Sequence, residues 1–167
     1  MSHALIPGSF DPMTLGHLDI IKRARSHYDK VTVAVMINES KSYTYSLEER
    51  AEIARLTLAE LPDVEVVTDR GLLVDLFDRV GADVIVKGIR NEKDRAYEES
   101  MAAANLARNP RAVTVYLQAA DDFETVSSTQ VRELLAGERL PDGLVSERVR
   151  EYLLTHGKQH TQKGESL

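Results

Sequence analysis

Short runs of apolar, largely β-branched residues alternate along this chain with stretches whose apolar positions recur every three or four residues. The runs at 3–7, 30–37, 64–68, 83–87 and 113–117 predict β-strands. The periodic stretches at 16–27, 47–61, 72–80, 91–108, 128–136 and 145–155 predict helices. Within the second of these, Leu47, Ala51, Ala54, Leu58 and Leu61 share one face, and Ser46 with Glu49 has capping-box spacing at its start. Val31-Thr32-Val33-Ala34-Val35 and Val84-Ile85-Val86 are nearly unbroken apolar runs, the pattern of strands covered on both faces. Strand–helix alternation of this kind predicts an α/β fold, a doubly wound five-stranded parallel sheet with right-handed crossovers. The expected strand order is 3-2-1-4-5, in one domain spanning 1–156. The polar, aperiodic stretch 157–167 reads as a disordered tail.

Charge narrows the function. The net charge is -6, which disfavours a broad nucleic-acid surface. An acidic protein that handles phosphates must concentrate a few cations in one pocket. The chain has no cysteine, which excludes disulfides and thiolate metal sites and suits a reducing cytoplasm. The apolar run Ala4–Ile6 is too short for a signal peptide or a membrane span.

The cations and turns fall at predicted strand ends. The first strand leads into Pro7-Gly8-Ser9-Phe10-Asp11-Pro12 and then Thr14-Leu15-Gly16-His17. A Gly-containing turn between a first strand and a first helix is where doubly wound folds receive phosphates, on helix N–H groups and with the helix dipole. His17 falls in the first helical turn; the plain alternative is a strand–turn–helix with a histidine near its cap. Lys87-Gly88-Ile89-Arg90 reads as a basic turn after the fourth strand, which this order places beside the first. The alternative there is a solvated turn. Lys41 follows the second strand, where a lone lysine is usually only solvated. Ser127-Ser128-Thr129 precedes a helix, and Ser127 with Gln130 suits ordinary capping as well as phosphate binding. Lys22, Arg23 and Arg25 read as the wet face of the first helix, and Glu48-Glu49-Arg50 as first-turn helix charge. His3, His27, His156 and His160 have no metal-site spacing. A Walker loop and a Gly-x-Gly-x-x-Gly fingerprint are both absent from the sequence.

These motifs together resemble the Thr/His-x-Gly-His nucleotidyltransferase superfamily and, more narrowly, its bacterial phosphopantetheine adenylyltransferase family. The resemblance rests on the two first-turn motifs, Lys41 with Glu48-Glu49-Arg50, Lys87-Gly88-Ile89-Arg90, Tyr97-Glu98 and Ser127-Ser128-Thr129. It implies an enzyme that moves AMP from ATP to 4′-phosphopantetheine, releasing pyrophosphate and giving dephospho-coenzyme A. It implies His17, Lys41 and Arg90 as the catalytic set. On the ATP side it implies Ser9, Phe10, His17, Gly88, Ile89, Arg90 and Glu98, and then Phe123, Glu124, Thr125, Val126, Ser127, Ser128 and Thr129. On the acceptor side it implies Ser9, Lys41, Leu73 and Lys87. It further implies Mg2+ held mainly by ATP phosphates, a homohexamer, and coenzyme A as a feedback ligand. The chain departs from the family at Arg95 and at Phe123-Glu124-Thr125, where aromatic residues are commoner. The nearest rival is another transferase of the superfamily, acting on nicotinamide mononucleotide or glycerol phosphate, and Lys41 and Lys87-Gly88-Ile89-Arg90 argue against it. A non-catalytic nucleotide sensor and a plain flavodoxin-like domain are the readings from other classes.

Overall fold

The structure is a computed structural model and describes residues 2–38, 41–137 and 139–155. Five parallel strands form one sheet: β1 (His3–Gly8), β2 (Lys30–Met36), β3 (Glu65–Asp69), β4 (Val84–Ile89) and β5 (Thr114–Gln118). Their order is β3-β2-β1-β4-β5, the order expected. Helices α1 (Leu15–His27), α2 (Leu47–Thr57), α3 (Leu73–Val80), α4 (Glu92–Arg108) and α5 (Ser128–Ala136) connect or follow the strands, with a 3-10 turn at Asp121–Phe123. Residues 147–155 are also helical. The predicted tail, 157–167, lies outside the described residues, as do His156 and His160. Among the described residues no helix is long and apolar enough to cross a membrane.

Period-two alternation sorts the strands between two cores. Ala4, Ile6, Val31, Val33, Val35 and Val86 join the core that α1, α2 and α5 cover. Leu5, Ala34 and Ile85 point the other way, into the core built on Val74, Leu76 and Phe77 of α3. A sheet buried on both faces explains why β2 reads as continuously apolar.

Element boundaries differ from the pattern at two places that matter. Helix α2 ends at Thr57, short of the predicted 61, because Pro62 keeps Leu61 out of helical geometry. Leu58 and Leu61 are still buried. Strand β4 runs on to Ile89, so Lys87-Gly88-Ile89 is not a turn. These three residues pair in register with Tyr116, Leu117 and Gln118, and only Arg90 lies beyond the strand.

The ladder between β1 and β4 is short. Only Ala4↔Val84 and Leu5↔Ile85 are in register, whereas β1 pairs with β2 along its whole length. The two strands therefore part at their carboxyl ends, opening a crevice at the point where the chain order reverses.

Alternation along β4 decides what faces each side of that crevice. Gly88 points toward α1, and a Cβ there would sit 2.8 Å from Cγ1 of Ile20. Lys87 points to the opposite face, where its Nζ lies 3.4 Å from Oε1 of Glu98 on α4. Gly88→Ala should therefore lower stability by about 1–3 kcal/mol through overpacking. Chemical denaturation will read this. In Gly88→Ala/Ile20→Ala the two losses should not add, because the second change removes the clash; additive losses would contradict the packing account.

Candidate active site

The first turn is built around His17. Thr14 caps α1, its hydroxyl accepting from the His17 N–H at 3.4 Å. The Thr14 N–H donates to His17 Nδ1 at 3.0 Å, and the Thr14 hydroxyl is 3.2 Å from the same nitrogen. This is a capping box with histidine in the place usually taken by Glu or Gln. Its chemical consequence is a fixed tautomer. Nδ1 accepts, so Nε2 carries the proton and is left as a donor.

The ring is also held in its neutral form. Burial, then the nearby charges of Lys87 and Arg90, pull its pKa from 6.5 down to about 4. Phe10 meets the imidazole edge-on, with centroids 5.0 Å apart. That contact requires Phe10 at φ 47°, a left-handed conformation that a bulky residue adopts only when its surroundings enforce it. Gly8 is what leaves room, since a Cβ there would lie 2.7 Å from the Phe10 ring.

The start of α5 closes onto this turn. Ser128 Oγ donates to the Pro12 carbonyl at 2.7 Å, and Arg132 donates to the Asp11 carbonyl at 2.7 Å. A side chain at Gly16 would touch Phe123 and the Val126 carbonyl, so the segment before α5 passes over the beginning of α1. Ser127 is the α5 N-cap and accepts from Gln130 N–H, which is the capping role its spacing suggests. In the first turn of α1 the N–H of Leu15 is engaged by the Leu144 carbonyl, besides that of His17 by Thr14.

On the β4 side, Arg90 is fixed by Asp94. Both its backbone N–H and its Nε donate to Asp94 Oδ2, at 3.1 and 3.0 Å. Lys87 and Glu98, which the resemblance divides between acceptor and nucleotide, are paired with each other. Phe10, Ile89 and Val126 put their side chains into the core. Ser9, Ser127 and Ser128 are half-buried, and Glu124, Thr125 and Thr129 are exposed. Leu73 opens α3 beyond the end of β3 and is half-buried. Lys41 is exposed in the loop after β2, its N–H donating to the Asn38 carbonyl.

That loop is tied down from below. Asp11 is buried, and its two carboxylate oxygens accept from the N–H groups of Thr44 and Tyr45 at 2.9 and 3.0 Å. Burial pushes its pKa upward, against the two amides and the charges of Arg132 and Arg50. Arg50 is among the most deeply buried side chains, so it is not the surface charge its neighbours suggest. Its helical position could have revealed this: it lies on the same face as Leu47, Ala51 and Ala54. Arg132 is a second residue the motifs leave out. It sits one turn after Ser128, and both reach the same pair of carbonyls, Asp11 and Pro12. Arg23 is not simply wet either, since it donates to the Gln118 carbonyl at 2.6 Å. Arg95 lies over the Tyr116 ring at 5.8 Å and pairs with Glu99, a local packing role.

The site thus gathers a neutral imidazole donor, two cations and a helix start at the mouth of a parted sheet. Comparison with known proteins agrees with such a site. The cytidylyltransferase-like family model matches residues 5–134. A phosphopantetheine adenylyltransferase of Caldanaerobacter subterraneus is 40% identical over 156 residues, 90% of this chain and 97% of the relative. One of Limosilactobacillus reuteri is 42% identical over 134 residues, 80% of this chain and 78% of the relative. A solved structure from Vibrio parahaemolyticus, described as a candidate nicotinate-nucleotide adenylyltransferase, has a TM-score of 0.71 over 94% of both chains. At 19% identity it speaks to the fold alone. By sequence, and with the fold in agreement, this chain belongs to the cytidylyltransferase-like nucleotidyltransferases and, among them, to the phosphopantetheine adenylyltransferase family.

Proposed function

We propose that the protein transfers the adenylyl group of ATP to 4′-phosphopantetheine, giving dephospho-coenzyme A and pyrophosphate. The observation that carries this reading is the neutral His17, with its Nε2–H free to donate, beside Lys87 and Arg90 where β1 and β4 part. An acceptor phosphate is nucleophilic near neutral pH, so no general base is required. One of its oxygens forms a bond to the α-phosphorus while the bond from that phosphorus to the bridging oxygen of the β-phosphate breaks. Pyrophosphate leaves with that electron pair. The protein's work is alignment and stabilisation of the charge that develops. His17 donates to an α-phosphate oxygen as the phosphorus becomes five-coordinate, Arg90 faces the nucleotide phosphates, and Lys41 and Lys87 take the acceptor phosphate.

Magnesium enters as an ion carried by the triphosphate, where it neutralises part of the charge. The donor chemistry fits that arrangement. Asp94 is bonded to Arg90, Glu98 to Lys87 and Asp11 to two amides, so these carboxylates already have partners. Coenzyme A carries the same phosphopantetheine arm as the product and fits as a competing ligand. The cysteine-free composition suits the cytoplasm.

The assembly reading is a homohexamer. It is supported by apolar side chains left open on α4, Tyr97 and Met101, and at the edge strand β5, Val113 and Val115. Light scattering should give a multiple of the chain mass, and a single-chain mass would overturn it.

With a panel of acceptors, magnesium-dependent pyrophosphate release should appear with 4′-phosphopantetheine and not with nicotinamide mononucleotide or glycerol phosphate. The opposite preference would sink the assignment. His17→Ala should fold, keep its affinity for ATP and lose roughly 100- to 1000-fold in turnover. A weakened ATP affinity with little change in kcat would make His17 a binding residue instead. The lowered pKa has a definite sign. A group depressed to about 4 stays neutral as pH falls through 6.5 and gains its proton only near pH 4. The NMR signals of the His17 ring should therefore not titrate between pH 8 and 5.5, and a midpoint near 6.5 would contradict the proposed environment.

A further inference from the structure

We infer that Arg50 is a positioning residue for the acceptor: it sets where the loop bearing Lys41 stands relative to the first turn. This rests on the acceptor reading above. Among the described residues the guanidinium makes three hydrogen bonds, each to a backbone carbonyl. The Ser9 carbonyl, just past β1, accepts at 2.7 Å. The Met36 carbonyl, the last of β2, accepts at 2.9 Å. The Tyr45 carbonyl, where the loop meets α2, accepts at 3.1 Å. One planar, rigid fork therefore joins the ends of two neighbouring strands and the far end of the loop between β2 and α2.

Further contacts bind that loop to the same group. The Tyr43 ring lies 4.0 Å from the guanidinium carbon, and the Tyr43 hydroxyl accepts from Asn38 N–H at 2.7 Å. Lys41 lies in the chain between Asn38 and Tyr43. Asp11 fixes the amides of Thr44 and Tyr45, the other half of the attachment. The Lys41 segment is thus anchored by Arg50, through the Met36 and Tyr45 carbonyls and the Tyr43 ring, and by Asp11 at Thr44 and Tyr45. Burying a guanidinium is costly unless its hydrogen bonds are all made, and an apolar side chain in its place would leave strand-end carbonyls without their donor. Those carbonyls lie at the carboxyl ends of β1 and β2, where their partial negative charge would otherwise oppose an arriving phosphate.

The test is steady-state kinetics of the full chain with ATP and 4′-phosphopantetheine, alongside thermal unfolding. Arg50→Lys keeps the charge and loses the fork. It should raise the acceptor KM roughly tenfold and leave the ATP KM within about twofold, since loop misplacement acts on one substrate. In a Lys41→Ala background the same change should add less than about twofold, because its effect runs through Lys41. Tyr43→Leu, on the half-buried loop side of the contact, should show the same split more weakly and covers the case in which Arg50→Lys fails to fold. A fall in Tm with both KM values unchanged in Arg50→Lys or, should that variant not fold, in Tyr43→Leu would overturn the inference. So would losses that multiply in the double variant. Should the wild type prefer another acceptor, the function reading fails by itself, and the cycle run on that acceptor still decides the role of Arg50.

Discussion

Everything at this site follows from the parting of β1 and β4 after two paired residues. A parallel sheet wound outward in both directions from its centre must have one place where adjacent connections leave to opposite faces. No crossover covers the sheet there. In this chain the gap is flanked by a Gly-Ser-Phe turn on one strand and by Lys87 and Arg90 on the other. A net charge of -6 makes that local positive potential more informative than it would be in a basic protein. The opening depends on Gly88. Its missing side chain lets α1 settle against β4, which brings the start of α1, and His17 with it, toward the β4 cations.

The electrostatics of His17 are set by backbone before any ligand arrives. A helix start disfavours a positive ring, and so do burial and the two neighbouring cations. The Thr14 amide then takes the one lone pair that a neutral imidazole has to offer. The ring is left with a single function, donation from Nε2. A protonated histidine would bind a phosphate more strongly in the ground state, but it would do so for substrate and transition state alike. On the proposed reading, the neutral ring acts by the position of its Nε2–H, which counts toward turnover as far as it meets the reacting phosphate better in the transition state than in the ground state.

Much of this was legible in the sequence, and for a physical reason. The elements, both faces of the sheet and the first turn depend on local periodicity and on Gly and Pro at turns, which one sequence records directly. The Ser46–Glu49 box is local as well and is found as its spacing predicts. What escaped depends on contacts between distant segments. Lys87-Gly88-Ile89 looks like a turn because Lys and Gly are poor strand formers; the ladder to Tyr116, Leu117 and Gln118 makes it strand. Lys87 and Glu98 were assigned to different substrates because their pairing arises only when α4 packs across β4. Arg50 looked like surface charge beside Glu48 and Glu49. Only the carbonyls of Ser9 and Met36, brought in by two other elements, make burying it tolerable.

The pairing of Lys87 with Glu98 bears on how such a site receives two anions. At 3.4 Å, with both side chains still partly open to solvent, the pair contributes on the order of 1 kcal/mol or less. It holds the lysine in place at little cost to whatever displaces the carboxylate. A phosphate offers more oxygens and more charge, and its hydrogen bonds to a cation are charge-assisted. On the proposed reading, an acceptor phosphate at Lys87 would take the place of this weak carboxylate partner. Arg90 is held differently. Asp94 takes both its backbone N–H and its Nε, so its guanidinium is oriented by its own helix start and keeps that partner. A cation in a weak, partly open pair and one held by two hydrogen bonds to its own helix start differ in how readily they can turn to a new partner, a difference that suits the proposed reaction, with its two phosphate groups to align.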